Sequence, residues 1–425
     1  MAEDRFIRRS LRRPWIRRLI LLLLIGIILV RFPDTGGLKR MLEEGAFDFL
    51  AFYTAGTILK EGAREQLYDV EKQAEIQRRL TGRPTPLLYY HPPFDALMFL
   101  PLAYLSYPTA YAVWVIANLL VLLAVVGLLL PYLQSLPLSL VALFWLSVVF
   151  PVFLSLFQGQ MSILLLLIYV ATFLALKRKA EFRAGSLLAL GLFKFQLVLP
   201  LLVVFVVRRW WRGLAGFFSI ALVLVFLSVA VVGVGGVLNY ALLLWHLPQE
   251  AGTEIASDPF GVRAARMPNV RGFITEALRG STLLGDYATA AVLLVSVALL
   301  AWSLRYWFLE RDRGEVFDLQ FSLQCVVTLL VSYHTHLNDL ALLTLPILLL
   351  LVQLRSLNGY SARPGFAHGV RALLLSLAPA YVVLAHLGRQ NLLFWFLLAL
   401  ALLLAAGIRG LSRGPLGAGH KSDAA

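Results

Sequence analysis

Charged residues and cysteines are scarce in this sequence. Aspartate, glutamate, lysine and arginine together make up 15% of the 425 residues, and Cys325 is the single cysteine. A lone cysteine inside an apolar run excludes intrachain disulfides and thiolate metal sites. The sequence also has no Gly-rich loop of the kind that cradles nucleotide phosphates. Chemistry that depends on a thiol pair or on such a loop is thereby excluded.

Apolar residues are abundant instead, and they occur in long runs. Hydrophobic residues make up 60% of the chain, and the mean hydropathy is +0.78. The runs are about 16 to 24 residues long, which is the length of a helix that crosses a hydrocarbon core roughly 30 Å thick. Barrel strands would alternate apolar and polar residues, and these runs do not. The sequence therefore predicts an all-α polytopic membrane protein.

The net charge of +14 predicts membrane topology rather than nucleic-acid binding. Basic residues stand at the ends of apolar runs, and no basic stripe is interleaved with aromatic residues. Arginines crowd the first 18 residues, so we expect the amino terminus to be cytoplasmic. No small-residue cleavage site follows the apolar run Trp15 to Val30, which predicts a retained first span.

The remaining polar segments predict one membrane domain, residues 1–412, followed by a short cytoplasmic polar tail, residues 413–425. A first external loop, about residues 32–106, should hold interfacial helices at Asp48 to Glu61, at Asp69 to Leu80 and at Phe94 to Leu105. A second external loop should cover about residues 234–285. Spans are predicted at about 107–130, 138–155, 161–177, 211–232, 286–308, 319–333, 337–353, 370–387 and 391–408.

The apolar stretch at about residues 184–207 needs a different path. A single crossing would place the basic cluster at Arg208 to Arg212 outside, against the positive-inside bias. A re-entrant hairpin of two half-helices, bent near Lys194 to Gln196, keeps that cluster in the cytoplasm. With each half-helix counted, the chain makes about 12 crossings.

This topology gathers an unusual set of polar side chains on the outer side. Ionisable groups at membrane depth are costly, so they are candidates for function. A carboxylate base could remove a proton from an acceptor hydroxyl while basic groups neutralise a departing lipid phosphate. The candidates are Asp48 as the base and Tyr90, His91, Gln160, Lys194, Arg266, Arg271, His334 and His336 as ligands of donor phosphate or sugar.

Structural alternatives exist for several of these residues. Asp48 could cap the helix that begins at Phe49, although Ala51 provides no capping box. Asp69 and Asp95 are best explained as residues of helix starts. Lys194 could extend its ammonium group to the interface.

The turn that holds His334 and His336 also has alternatives. It could be a simple interfacial turn. It could also hold a metal with Asp339 as a further ligand, but spacings of two and three residues are common by chance and no fourth ligand is evident. No metal or cofactor is therefore predicted.

The order of the motifs resembles glycosyltransferase family 87 over about residues 45–355. The resemblance rests on Asp48 to Gly56, Leu67-Tyr68-Asp69, Tyr90-His91-Pro92-Pro93-Phe94, Gly159-Gln160, Lys194, Arg208 to Trp211 and Ser332 to His336. It implies the GT-C architecture, inversion at the anomeric carbon and a polyprenyl-phosphate sugar donor, as in polyprenol-phosphate-mannose-dependent α-mannosyltransferases. It also implies that Asp48 is the catalytic base and that the histidine turn lies near the donor phosphate. His91 stands where tyrosine is common in the family.

We therefore expect an enzyme that transfers mannose or another hexose or pentose to a glycolipid or cell-envelope glycan. Its partners would be the lipid donor, that acceptor and membrane lipids, with no nucleic acid. The site would face the outside of the cytoplasmic membrane, and both termini would be cytoplasmic. A lipid-linked sugar flippase and a noncatalytic assembly subunit are the alternatives, since a flippase would also use broken helices and buried charges.

Overall fold

The computed structural model describes residues 47–82, 86–250, 263–279, 287–309, 314–357 and 364–412. All regular structure within these ranges is helical, and the predicted all-α class is confirmed. The predicted first span, Trp15 to Val30, and the predicted polar tail, residues 413–425, lie outside the described residues.

Fourteen main helices are numbered here in chain order. They are α1 Phe49–Lys60, α2 Val70–Thr81, α3 Tyr107–Ser135, α4 Leu138–Gln158, α5 Ser162–Lys177, α6 Glu181–Ala189, α7 Phe195–Val207, α8 Trp211–Glu250, α9 Val270–Ala277, α10 Ala288–Leu304, α11 Gly314–Val331, α12 Thr344–Leu357, α13 Pro364–His386 and α14 Leu393–Ser412.

Shorter helical segments join several of these helices. They are the 3₁₀ turns Arg64–Gln66, Pro93–Asp95, Leu102–Tyr104, Leu190–Lys194, Ala264–Arg266, Leu337–Leu343 and Gln390–Leu392, and the one-turn helices Ala96–Phe99 and Tyr306–Leu309.

Nine segments of the described chain are long and apolar enough to cross a membrane. Helix α5 is apolar as well but has only 16 residues. The multi-pass character of the protein is confirmed, and its count of crossings stays a prediction. The nine segments are Tyr107–Ser135, Leu138–Gln158, Glu181–Val207, Trp211–Trp245, Ala288–Phe308, Gly314–Val331, Leu337–Arg355, Gly365–His386 and Gln390–Leu411.

The segment Glu181–Val207 is broken and turns back on itself. The 3₁₀ turn Leu190–Lys194 separates α6 from α7, and Lys194 has non-helical angles of φ −124° and ψ 60°. A Cβ atom on Gly216 of α8 would lie 2.1 Å from the carbonyl oxygen of Phe182, at the start of α6. A Cβ atom on Gly213 would lie 2.6 Å from the ring of Phe205, near the end of α7. Both ends of the segment therefore meet the first turns of α8, as a re-entrant hairpin requires.

Helix α1 has the predicted bounds to within one residue and is an interior element. Every residue from Phe49 to Ile58 is buried. Phe49 lies against the rings of Tyr107 and Trp114 of α3 at centroid distances of 6.0 and 6.4 Å. The helix start, and Asp48 before it, are thus fixed by packing against a membrane-spanning helix.

One predicted helix is wrong in this region, and one further segment is helical where the sequence predicts no helix. The segment Phe94 to Leu105 is not one helix, because Pro101 divides it into Ala96–Phe99 and Leu102–Tyr104. Residues 234–250 of α8, in the predicted second external loop, are helical, and Tyr240 among them stacks on Tyr68 of the predicted first external loop at 5.2 Å between ring centroids; the bounds of the second loop stay a prediction. Gly233, with φ 71° and ψ 174°, kinks this helix, and the apolar residues after it remain helical.

The hairpin predicts that Arg178 and Arg212 are on the same side of the membrane. Both side chains are exposed. In a Cys325→Ser background, Arg178→Cys and Arg212→Cys should react with a membrane-impermeant maleimide from the same side of oriented vesicles. Glu71→Cys, on exposed α2, is the control and should react only from the opposite side. Labelling of Arg178→Cys and Arg212→Cys from opposite sides would mean a single crossing.

Candidate functional site

Asp48 stands at the start of α1 but does not cap it. Its backbone is helical, with φ −61° and ψ −22°, and its side chain accepts no hydrogen bond from the first turn. Its Oδ2 atom accepts a hydrogen bond of 2.7 Å from Gln160 Nε2 instead. Asp48 is therefore not a helix cap, which was the structural alternative to a functional role.

Asp69, unlike Asp48, caps the helix that follows it. Its backbone is extended, and its Oδ1 accepts a hydrogen bond of 2.8 Å from the Lys72 backbone N–H in the first turn of α2. This is the usual geometry of an aspartate cap, and the prediction for Asp69 is confirmed.

Asp48 lines a cavity of about 80 Å³ that holds several of the predicted residues. The loop at residues 87–91 forms one wall, and the start of α1 forms another. The cavity is lined by Asp48, Ala51, Phe52, Leu87, Leu88, Tyr89, Tyr90, His91, Gln160 and His336. Five of the nine predicted residues thus meet around one space.

Gln160 connects the cavity to a buried ion pair. Its Oε1 atom is 3.5 Å from Lys194 Nζ at the end of the hairpin turn. The ammonium group of Lys194 lies 2.5 Å from Asp339 Oδ1 and 3.0 Å from Ser162 Oγ. The Lys194 side chain is 7% exposed, so it does not extend to the interface.

The histidine turn closes the other side of the cavity. The Tyr90 hydroxyl is 3.2 Å from His334 Nε2, and the rings of His334 and His336 are 4.4 Å apart. Burial lowers the pKa of both imidazoles, and the carboxylates of Asp339 and Asp48 oppose this shift at His336. Both histidines are therefore neutral near pH 7, and each can donate one hydrogen bond.

The segment after α8, residues 263–279, contacts the turn that holds His334 and His336. Asn269 caps α9 through Gly272 N–H and donates a hydrogen bond of 2.7 Å to the Ser332 carbonyl. The guanidinium group of Arg271 lies 3.8 Å from the centroid of the Tyr333 ring. Arg266 is exposed, and neither it nor Arg271 lines the cavity. The two arginines are thus placed beside the site rather than within it.

His91 belongs to a buried cluster behind the cavity wall. Its Nδ1 is 2.9 Å from Asp95 Oδ2, and the Tyr89 hydroxyl donates to the other carboxyl oxygen. Burial and the positive charge of Lys194 lower the pKa of His91 to about 3, and burial raises the pKa of Asp95 well above its usual range. The pair is therefore neutral and fixes the orientation of the His91 ring.

Sequence reasoning did not find the partners of Lys194. The sequence indicates Asp339 only as a possible metal ligand and gives no indication of Ser162. A carboxylate three residues after a histidine in an apolar segment was the available signal, because a buried lysine needs a counter-ion. Asp339 also accepts the His336 backbone N–H at 2.9 Å. Among the described residues, no group of three His, Cys, Asp or Glu side chains is arranged to hold a metal.

Comparison with protein-family models gives one match. Residues 89–333 match the model described as Glycosyltransferase family 87, which is more than half of the chain. No curated protein and no solved structure matches. The matched segment includes Tyr90, His91, Gln160 and Lys194 and ends one residue before His334.

The two aspartates at helix starts should respond differently to truncation. Asp69→Ala should lower the free energy of unfolding by about 1 kcal/mol, because it removes a helix cap. Asp48→Ala should cost clearly less, because it removes no cap, and the hydrogen bond from Gln160 that it removes is offset by the cost of keeping a carboxylate half-buried. Thermal unfolding of the detergent-solubilised variants checks this ranking. An equal or larger loss for Asp48→Ala would contradict it.

Proposed function

The chain belongs to glycosyltransferase family 87, and from this membership we propose that it transfers a sugar from a polyprenyl phosphate to a glycolipid or cell-envelope glycan. The sugar would be mannose or another hexose or pentose, and its anomeric configuration would be inverted. The observation that carries the proposal is the Asp48 carboxylate, which lines a cavity and accepts a hydrogen bond from the Gln160 amide instead of capping its helix.

In the proposed reaction, Asp48 is the general base. It takes the proton of an acceptor hydroxyl as that oxygen attacks the anomeric carbon of the donor sugar. The bond between that carbon and the phosphate oxygen breaks, and polyprenyl phosphate leaves with the electron pair. Attack opposite the leaving group inverts the anomeric centre. A base in this position contributes typically 10²- to 10⁴-fold to the rate.

The charge of the leaving phosphate needs hydrogen-bond donors that are already in place. His334 and His336 are neutral and half-buried, so their ring N–H groups can donate without a change of protonation. Arg271 and Arg266, beside the same turn, would supply positive charge next to the site. Tyr90, His91 and Gln160 line the cavity and are placed to contact the sugar.

Replacement of Asp48 by asparagine should abolish turnover but not folding. We expect Asp48→Asn to lower the release of polyprenyl phosphate by roughly 10²- to 10⁴-fold, because an amide cannot accept the proton. The assay incubates purified protein with a panel of polyprenyl-phosphate sugars and a lipid acceptor fraction. Asp69→Asn makes the same chemical change at a helix cap and should keep the wild-type rate.

Three outcomes of this assay would count against the proposal. Wild-type turnover by Asp48→Asn would overturn the assignment of the base. Movement of the intact donor across vesicles would indicate a flippase. A wild-type protein that neither binds nor turns over any donor would indicate a noncatalytic subunit.

His334→Phe should weaken donor binding, because phenylalanine keeps the ring but removes the hydrogen bond to phosphate. We expect the Kd for polyprenyl-phosphate mannose to rise roughly tenfold to hundredfold. Binding is measured in the Asp48→Asn background so that no donor is consumed. His386→Phe, at an exposed histidine of α13, is the control. An unchanged Kd in His334→Phe would exclude His334 as a donor ligand.

A further inference from the structure

The ammonium group of Lys194 is surrounded by acceptors of the protein itself. A lysine ammonium group has three N–H donors and no acceptor. Three acceptors surround Nζ, namely Asp339 Oδ1 at 2.5 Å, Ser162 Oγ at 3.0 Å and Gln160 Oε1 at 3.5 Å. Lys194 also lies behind Gln160 and does not line the cavity. A donor phosphate could reach it only by displacing one of these partners.

The partners of Lys194 are themselves satisfied. Ser162 donates its hydroxyl proton to Asp339 Oδ1 at 2.8 Å, and it accepts from Asn338 Nδ2 at 3.4 Å as well as from Lys194. Asp339 Oδ2 accepts the His336 backbone N–H. A buried polar network in which every member is paired is rigid and specifies one arrangement.

The network also determines which way the Gln160 amide faces. Lys194 can only donate, so the amide oxygen must face it. An ionised carboxylate can only accept, so the amide NH₂ group must face Asp48. Both requirements are met together, at 3.5 and 2.7 Å. The positive charge of Lys194 therefore determines that the NH₂ group of Gln160, and not its oxygen, faces Asp48 Oδ2.

We propose that Lys194 and Asp339 are a positioning pair: through Gln160 the pair orients the Asp48 carboxylate, and through the His336 backbone it places the histidine turn across the cavity. Lys194 is then not a ligand of the donor phosphate. This inference rests on the proposed role of Asp48 as the base. In this proposal the charged groups of Lys194 and Asp339 hold other residues of the site in position and do not contact the substrate.

Two double variants test the pair. Removal of one charge alone would leave the other buried without a partner and would destabilise the protein, so both are changed together. Lys194→Met with Asp339→Asn removes both charges and the N–H donor to Gln160, and the asparagine side-chain oxygen at position 339 can still accept the His336 backbone N–H. Lys194→Gln with Asp339→Asn removes both charges but keeps an amide donor at position 194. For each variant, kcat is measured at saturating donor, and Kd for polyprenyl-phosphate mannose is measured in the Asp48→Asn background.

A positioning role predicts that kcat falls while the donor Kd is almost unchanged. Lys194→Met/Asp339→Asn should lose roughly tenfold to hundredfold in kcat, while its donor Kd stays within about twofold because the histidine turn keeps its acceptor at position 339. Lys194→Gln/Asp339→Asn should keep several-fold more of the wild-type kcat, because its amide can still direct Gln160. A structural role alone would not distinguish these two variants once both are folded.

Several results would overturn the inference. A donor Kd at least tenfold weaker in either variant would make Lys194 a phosphate ligand, and wild-type kcat in both would remove the positioning role. If Lys194→Met/Asp339→Asn does not fold, Lys194→Gln/Asp339→Asn decides on Kd. The single variant Gln160→Leu, which should lose kcat to the same extent, then decides on kcat. Asp48→Asn is assayed alongside. Full turnover by that variant would refute the proposed base, whereas an inactive Asp48→Asn with a Kd effect at Lys194 would refute the positioning pair alone.

Discussion

The buried ion pair between Lys194 and Asp339 is the constraint on which the site depends. An unpaired ammonium group in an apolar interior is far too costly to persist, so Lys194 must meet a counter-ion. Its carboxylate partner is 145 residues away in the sequence. The pair can form only if the hairpin turn Leu190–Lys194 and the segment Leu337–Leu343 are neighbours. The re-entrant path and the histidine turn are thereby fixed together.

The turn between α4 and α5 connects this ion pair to Asp48. Gly159 has φ 67°, and a Cβ atom there would lie 2.7 Å from Cβ of Phe49 at the start of α1. The Gly159 carbonyl accepts a hydrogen bond of 2.7 Å from the Trp114 ring of α3. Gln160 and Ser162 follow at once, one directed to Asp48 and the other to the ion pair. Close backbone packing at one glycine thus brings Asp48 and the buried charges within reach of each other.

Much of this could be predicted from the sequence, for physical reasons. Long apolar runs predict spans, and a lysine in such a run next to basic clusters predicts the broken hairpin. Asp48, Tyr90, His91, Gln160 and His336 were proposed from their chemistry and topology, and they line one cavity. The pairing of Lys194 with Asp339 leaves no periodic signal, because the two residues are 145 positions apart; a carboxylate within an apolar segment is the only sequence feature that points to it. The helix beyond Gly233 was missed because a glycine cluster resembles a terminator, whereas here it only kinks the chain.

We propose that Asp48 faces the reacting carbon while the histidine turn receives the phosphate. A cryo-EM structure of the Asp48→Asn variant with a bound polyprenyl-phosphate sugar would test this arrangement directly. We expect the anomeric carbon in the cavity beside residue 48, the phosphate within hydrogen-bond distance of His334 or His336, and Lys194 still paired with Asp339. A phosphate bound to Lys194, or a sugar outside the cavity, would contradict it.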